Sequence, residues 1–244
     1  MSGDGEHTPL VTDLKQPTTF AVDQQNHIYV FDKHPSRKVI RVYNEKGEYQ
    51  RKIGKRGGYR AGPWDPMRFR DVSGMSIAKD GKLWVVDNTY WPKRCAAFTT
   101  EGEHLREYLG PTQYGGGGVL DPYDKTRLVY GFLEFEIDWE TGKSHLKNLL
   151  WTKHNWPRGE IHIRYKGHDY FVSQPPGARG AMPVGMVYRY ETDHLVPVAA
   201  MGAAEQFPPL SRAEFQKKTG GKLLKNLEFT WRDKNTNGRV APEE

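Results

Sequence analysis

Most of the chain consists of short runs in which apolar and polar positions alternate, each run closed by a turn signal. Phe20-Ala21-Val22-Asp23 leads through Asn26 to Ile28-Tyr29-Val30-Phe31-Asp32, then to Val39-Ile40-Arg41-Val42-Tyr43 and a turn at Asn44-Glu45-Lys46-Gly47. Period-two alternation, β-branched and aromatic enrichment and Gly- or Asn-bearing breaks predict antiparallel strands joined by tight turns. The pattern then returns: Met75-Ser76-Ile77-Ala78, Asp80-Gly81, Leu83-Trp84-Val85-Val86-Asp87, Arg94-Cys95-Ala96-Ala97-Phe98 and a turn at Glu101-Gly102. Asp32 matches Asp87, Tyr43 matches Phe98 and Gly47 matches Gly102, all at an offset of 55 residues. A weaker third copy runs from Gly115–Gly118 and Asp121-Pro122 through strands at 127–131 and 134–138 to a Thr141-Gly142 turn and His145–Trp151. A fourth is read at 161–165, 169–172, 185–190 and 195–200. Four-stranded units of roughly 40–55 residues in series predict a β-propeller, with blades over about 17–60, 71–110, 115–156 and 159–202 after an N-terminal segment at 1–16.

One stretch departs from alternation. Ser211-Arg212-Ala213-Glu214 is a capping box, and Gly220-Gly221 ends the run, so a short helix over 212–218 is expected inside an insertion at 205–225. Leu227-Glu228-Phe229-Thr230-Trp231 resumes strand alternation, and 226–244 is expected to open a further blade. The expected fold is therefore all-β: a propeller of four-stranded blades, about four plus the start of a fifth, with one inserted helix. Because propellers close their edge strands into a ring, the expectation is an incomplete ring or a piece of a longer polypeptide continuing after Glu244.

The pattern Pro17, Ala21-Val22-Asp23, Ile28-Tyr29-Val30, Asp32, Val42-Tyr43, Gly47 resembles an NHL repeat. The second unit resembles it again at Asp80-Gly81, Val85-Val86-Asp87, Arg94 and Phe98. Both depart from the usual form in a longer loop after Asp32 and Asp87, and Val39 stands where the second copy keeps Arg94. The likeness covers 17–110 well and 115–202 faintly. It implies a propeller acting as a binding platform, with a minority of relatives acting as lyases or lactonases.

Asp233-Lys234-Asn235-Thr236-Asn237-Gly238-Arg239-Val240-Ala241-Pro242-Glu243-Glu244 fits the twelve-residue EF-hand loop. Calcium takes hard oxygens from positions 1, 3 and 5, a backbone carbonyl at 7 and a two-oxygen carboxylate at 12, with Gly at 6 for the sharp turn. The ligands are then Asp233, Asn235, Asn237, the Arg239 carbonyl and Glu244, with Gly238 at the turn and Val240 as apolar anchor. The flanking helices of a standard EF-hand are missing, so the segment resembles a calcium loop inserted into a blade, as in secreted bacterial propellers. The alternative is a type I′ hairpin turn at Thr236-Asn237-Gly238-Arg239, which accounts for Asn237 and Gly238 but not for Asp233, Asn235 and Glu244 at their spacings. With two formal charges the site is expected to be weak, near the ~10⁻⁴–10⁻³ M of extracellular modules. That suits an extracellular or periplasmic setting.

Composition narrows the function classes. Aromatic residues make up 12% of the 244, too many for a disordered chain, and no apolar run approaches the ~18 residues of a membrane span. The first residues lack the basic and apolar regions of a secretion signal. Cys95 is alone, so no internal disulfide or thiolate cluster exists. The net charge of +6 is mild. Arg51, Lys52, Lys55, Arg56 and Arg60, interleaved with Tyr49, Tyr59 and Trp64, suit phosphate contact and base stacking, but equally a solvated loop. The histidines, His154, His162 and His168 among them, show no i, i+4 zinc spacing, Gly115–Gly118 lacks a following Lys-Ser/Thr, and no G-x-S-x-G elbow exists. Asp23, Asp32 and Asp87 recur at equivalent strand ends, where they are expected to cap turns, and Cys95 is expected to point into a blade. The favoured function is a non-catalytic, calcium-stabilised propeller that binds a protein or glycan on one face. The alternative is a lactonase- or lyase-like enzyme with a metal held by acidic and His side chains at the central channel. An RNA-binding module ranks below both. Carboxylates or imidazoles converging from different blades would favour the enzyme.

Overall fold

A computed structural model describes residues 8–88, 92–110, 118–150, 158–174, 184–218, 220 and 224–242. The chain divides into two compact units, Met1–Tyr59 with Asp65–Tyr114, and Arg60–Trp64 with Gly115–Glu244.

In the first unit, β1 (Pro17–Val22), β2 (Ile28–Asp32), β3 (Val39–Tyr43) and β4 (Tyr49–Ile53) form an antiparallel meander in chain order, the first sheet. After β5 (Gly62–Pro63), the second sheet repeats it with β6 (Val72–Ile77), β7 (Leu83–Asn88), β8 (Lys93–Phe98) and β9 (His104–Gly110). The inward sets of the two sheets, Tyr29, Phe31, Ile40 and Val42 on one and Val72, Leu83, Val85, Ala96 and Phe98 on the other, share one core. Phe69 fills it, edge-on to Phe31 at 6.2 Å and tilted against Phe98 at 5.5 Å. The opposite face of the first sheet is covered as well, because Asp13 accepts from Tyr43 Oη at 2.7 Å and pairs with Arg41. Gly47 turns there with φ +77°, and any side chain at that position would strike the Leu10 carbonyl.

The 55-residue repeat extends to individual hydrogen bonds. Asp32 accepts the N–H groups of Lys15 and Gln16, and Asp87 accepts those of Arg70 and Asp71, the same pair one repeat later. Both carboxylates are fully buried. They fasten the chain entering each sheet, as capping aspartates do, and Asp23 likewise accepts the N–H groups of Gln25 and His27.

In the second unit, the third sheet is β10 (Val119–Leu120), β11 (Arg127–Tyr130), β12 (Leu133–Asp138) and β13 (Lys143–Leu149), with β5 added at the β13 edge. The fourth is β14 (Arg158–Tyr165), β15 (His168–Gln174), β16 (Val184–Glu191), β17 (His194–Ala203) and β18 (Glu228–Arg232). Val129, Phe132, Leu150, Phe171, Tyr188 and Leu195 form their common core. These blade-type antiparallel sheets give the all-β, propeller-class fold expected. One expectation changes: the strand after the insertion does not open a further sheet but pairs antiparallel with β17, Ala200 opposite Trp231. The reason is packing. Trp231, Ala200 and Phe207 form a small core with Phe229 and Val240 against them, which secures the strand to the fourth sheet. The insertion itself is two 3₁₀ turns, Ala204–Gln206 and Pro208–Ser211, followed by α1 (Ala213–Lys218), whose Phe215 is buried. Among the described residues, no helix is long and apolar enough to cross a membrane.

Candidate functional site

Side chains from the third and fourth sheets meet around Arg127. Asp121 leaves β10 at a turn, where Oδ1 accepts the N–H groups of Tyr123 (2.8 Å) and Asp124 (3.2 Å). Arg127 opens β11; its Nε donates to Glu134 Oε1 at 2.7 Å, and its Nη1 reaches Asp121 Oδ2 at 3.1 Å and Asp169 Oδ2 at 3.2 Å. The guanidinium lies 4.1 Å from the centre of the Tyr190 ring. Glu134, nearly fully buried, also accepts from Asn148 Nδ2 at 2.7 Å and from Tyr190 Oη. Asp169, on β15, is gripped from β14 by Arg164, with Nε 2.6 Å from Oδ1 and Nη2 3.1 Å from Oδ2.

His162 stands in the middle of β14 and stacks on Phe171, with centroids 4.8 Å apart and planes 7° from parallel. Its imidazole is 1% exposed, with Nε2 3.1 Å from Asp169 Oδ1 and Nδ1 3.5 Å from Asp121 Oδ1. Neither nitrogen meets a partner in hydrogen-bonding geometry. The charges are shared unequally, three carboxylates against two guanidinium groups. Burial opposes the ionisation of Asp169, but Arg164 and His162 outweigh it and pull the carboxyl down to about 2. Burial also opposes the Arg127 charge, and Glu134, Tyr190 and Asp121 together more than compensate, raising its pKa. Burial and the Glu134 carboxylate push the Tyr190 hydroxyl well above the usual tyrosine value.

The calcium-type loop lies against the fourth sheet. Asp233 donates its N–H to the Val198 carbonyl at 2.9 Å. Its carboxylate accepts the N–H groups of Asn237 (3.2 Å) and Gly238 (2.9 Å), Asn235 Oδ1 accepts that of Asn237 (3.1 Å), and Asn237 Oδ1 accepts that of Arg239 (2.7 Å). Asp233, Asn235 and Asn237 are thus wound into one tight loop leading to Arg239, and Val240 packs beside Trp231. A type I′ turn needs positive φ at both central residues. The left-handed residues here are Thr236 (φ +60°) and Gly238 (φ +66°), so that alternative is not formed. Glu244 lies outside the described residues.

Several of the remaining sequence candidates are engaged within the protein. Tyr59 is buried with its hydroxyl 2.7 Å from Asp87, Lys55 pairs with Asp65, Arg51 donates to the Thr100 carbonyl, and Arg41 covers the Tyr49 ring at 4.3 Å. Lys52, Lys55, Arg56 and Arg60 are nonetheless exposed. Cys95 faces away from the core, in register with exposed Val86 and Tyr108, because the adjacent Ala96 takes the inward position. His154 and Gly115–Gly117 lie outside the described residues. The Arg127 cluster was not expected from the sequence. Its one local signal is a histidine between Ile161 and Ile163, a polar side chain at every second position of a strand whose neighbours turn outward.

No protein-family model matches the chain, and no curated protein matches it. Among solved structures it is similar to one described as a nidogen/laminin complex, at 15% identity and TM-score 0.34, over 78% of this chain and 68% of that one. A putative exported protein from Bacteroides fragilis is similar at 14% and 0.32, over 78% and 52%. Virginiamycin B lyase from Staphylococcus aureus is similar at 15% and 0.28, over 75% and 55%. The chain spans about half the length of the last two. With identities this low and TM-scores below 0.5, the assignment to the propeller class rests on the four sheets themselves.

Proposed function

We propose that the chain is an NHL-type propeller module that binds a protein through an exposed sheet face, is stabilised by calcium at the 233–244 loop, and works outside the cytoplasm. The observation that carries this reading is the outward face of the fourth sheet. Ile161, Ile163, Tyr165 and Met201 are 46%, 45%, 59% and 58% exposed. Cross-strand register puts Ile161, Val172, Val187 and Ala199 on that same face, with Ile163 beside Tyr170 and Met201 opposite Gly185. Apolar residues scattered singly over a surface are ordinary, whereas a contiguous apolar patch marks an interaction site. Calcium fits the loop chemistry: oxygens of Asp233, Asn235 and Asn237, the Arg239 carbonyl and Glu244 make a hard-oxygen set of low charge, suited to the millimolar calcium outside cells.

A photo-cross-linking residue at Ile163, with a second at exposed Lys79 as control, tests the reading in extracts of the native source. Cross-links to a protein from position 163 alone, lost in an Ile161→Lys/Ile163→Lys double variant of unchanged melting temperature, are the expected result. Glycan-array binding that survives the double variant would instead favour the glycan ligand. The hydrolase or lyase reading ranks second. It draws on acidic and imidazole groups converging from two sheets at Asp121, His162 and Asp169. Their burial leaves little room for a substrate, since a catalytic metal keeps an open position.

A further inference from the structure

We propose that Asp121, His162 and Asp169 hold a borderline divalent cation of the zinc class, as an enclosed brace between the third and fourth sheets rather than a reaction centre. One ligand atom from each of the three lies within 4.8 Å of the others. The 3.1 Å between His162 Nε2 and Asp169 Oδ1 is close to the ~3.3 Å between neighbouring ligands of a tetrahedral ion with bonds of ~2.0–2.1 Å. His162 supplies an independent observation. Its imidazole is enclosed, and although Nε2 lies 3.1 Å from Asp169 Oδ1 and Nδ1 3.5 Å from Asp121 Oδ1, neither nitrogen is placed for a hydrogen bond, whereas buried polar side chains nearly always make one. An ion would take a ring lone pair directly.

The surroundings suit ligation. Arg127 Nη1 bridges Oδ2 of Asp121 and Oδ2 of Asp169, which turns Oδ1 of each toward the imidazole, and hydrogen bonds of this outer kind orient metal-binding carboxylates. Arg164 on Asp169 and the Tyr123 and Asp124 N–H groups on Asp121 compete. Three of the roughly four lone-pair sites are engaged on each group: Asp169 keeps one on Oδ1, and on Asp121, whose Oδ1 already carries two N–H bonds, an ion displaces the longer of them, from Asp124 at 3.2 Å. With three carboxylates against two guanidinium groups, a cation also meets uncompensated negative charge. An imidazole with two carboxylates selects zinc-like ions over calcium, which takes six to eight oxygens. Water would complete the shell.

Calorimetric titration of the full chain with Zn²⁺, and absorption spectroscopy with Co²⁺, test the proposal. The expected result is one equivalent bound, undisturbed by excess Ca²⁺ and by Asp233→Ala, with visible bands of a four-coordinate Co²⁺ site. His162→Phe, which keeps the stack on Phe171, and Asp169→Asn should each weaken binding by more than about tenfold. His145→Ala, which removes a surface imidazole 3.2 Å from Glu136, should not. If His162→Phe does not fold, Asp121→Asn takes its place. Absence of stoichiometric Zn²⁺ binding at millimolar concentration overturns the proposal. So does binding that survives the ligand variants but falls in His145→Ala.

Discussion

In the first unit, Asp32 and Asp87 hold the chain that enters their sheets through backbone N–H groups, the Lys15/Gln16 pair and the Arg70/Asp71 pair. In the second unit, Arg127 joins three carboxylates from separate elements, and most of its contacts are between side chains. Both arrangements bury charge beside the first strands of a sheet. They differ in what they demand of the sequence. A carboxylate facing backbone donors needs one residue at one position, because every chain supplies N–H groups, so the device survives copying at an offset of 55 residues. A side-chain network needs Asp121, Arg127, Glu134 and Asp169 together, and nothing in their spacing announces it.

The contrast can be broken from either side. Arg127→Met should have the largest effect, destabilising by about 3–5 kcal/mol in urea denaturation, because Asp121 and Glu134 remain buried without their cation. Arg127→Lys should rescue little, since an ammonium cannot span Glu134, Asp121 and Asp169 as the guanidinium fork does. Asp87→Ala should come next, at about 2–4 kcal/mol, because the Arg70 and Asp71 N–H groups and the Tyr59 hydroxyl lose this acceptor. Asp87→Asn keeps an acceptor and should recover a good part of that loss. Recovery by Asn at position 87 but none by Lys at position 127 would sharpen the comparison; equal recovery would erase it.

Acid should separate the units less strongly. The folded Asp169 carboxyl is depressed from 3.8 to about 2. Its contribution is therefore fully present above about pH 4 and is lost as pH falls toward 2, amounting to less than ~2 kcal/mol because Arg164 is partly exposed and its pairing is screened. Melting temperature should drop through that window, with a shallower slope in Asp169→Asn. Asp32 is also depressed, burial being outweighed by Lys15 N–H, Arg37 and further backbone donors, so Asp32→Asn should flatten the same limb. The smallest effect concerns calcium. Tenfold saturation of the 233–244 loop should add about 1.4 kcal/mol, read as a rise of a few degrees in melting temperature. Magnesium should hardly act, Asp233→Ala should abolish the shift, and Lys234→Ala should leave it.

The sequence by itself determined where strands and turns lie. Alternation and turn residues act over a few positions, so β1–β4 and β6–β9 were legible from the repeat and α1 from its capping box. Tertiary structure decided three further matters. Period two separates the faces of a strand without saying which is inward, and on β14 packing on Phe171 chose His162 over Ile161 and Ile163. The partner of β18 was decided by burial of Trp231 with Ala200 and Phe207, and β5 joins β13 from a stretch distant in sequence. The Arg127 cluster depends on Asp169 arriving from 42 residues away. Local propensity does not encode such contacts, because their energy appears only when separate elements bury the same charges together.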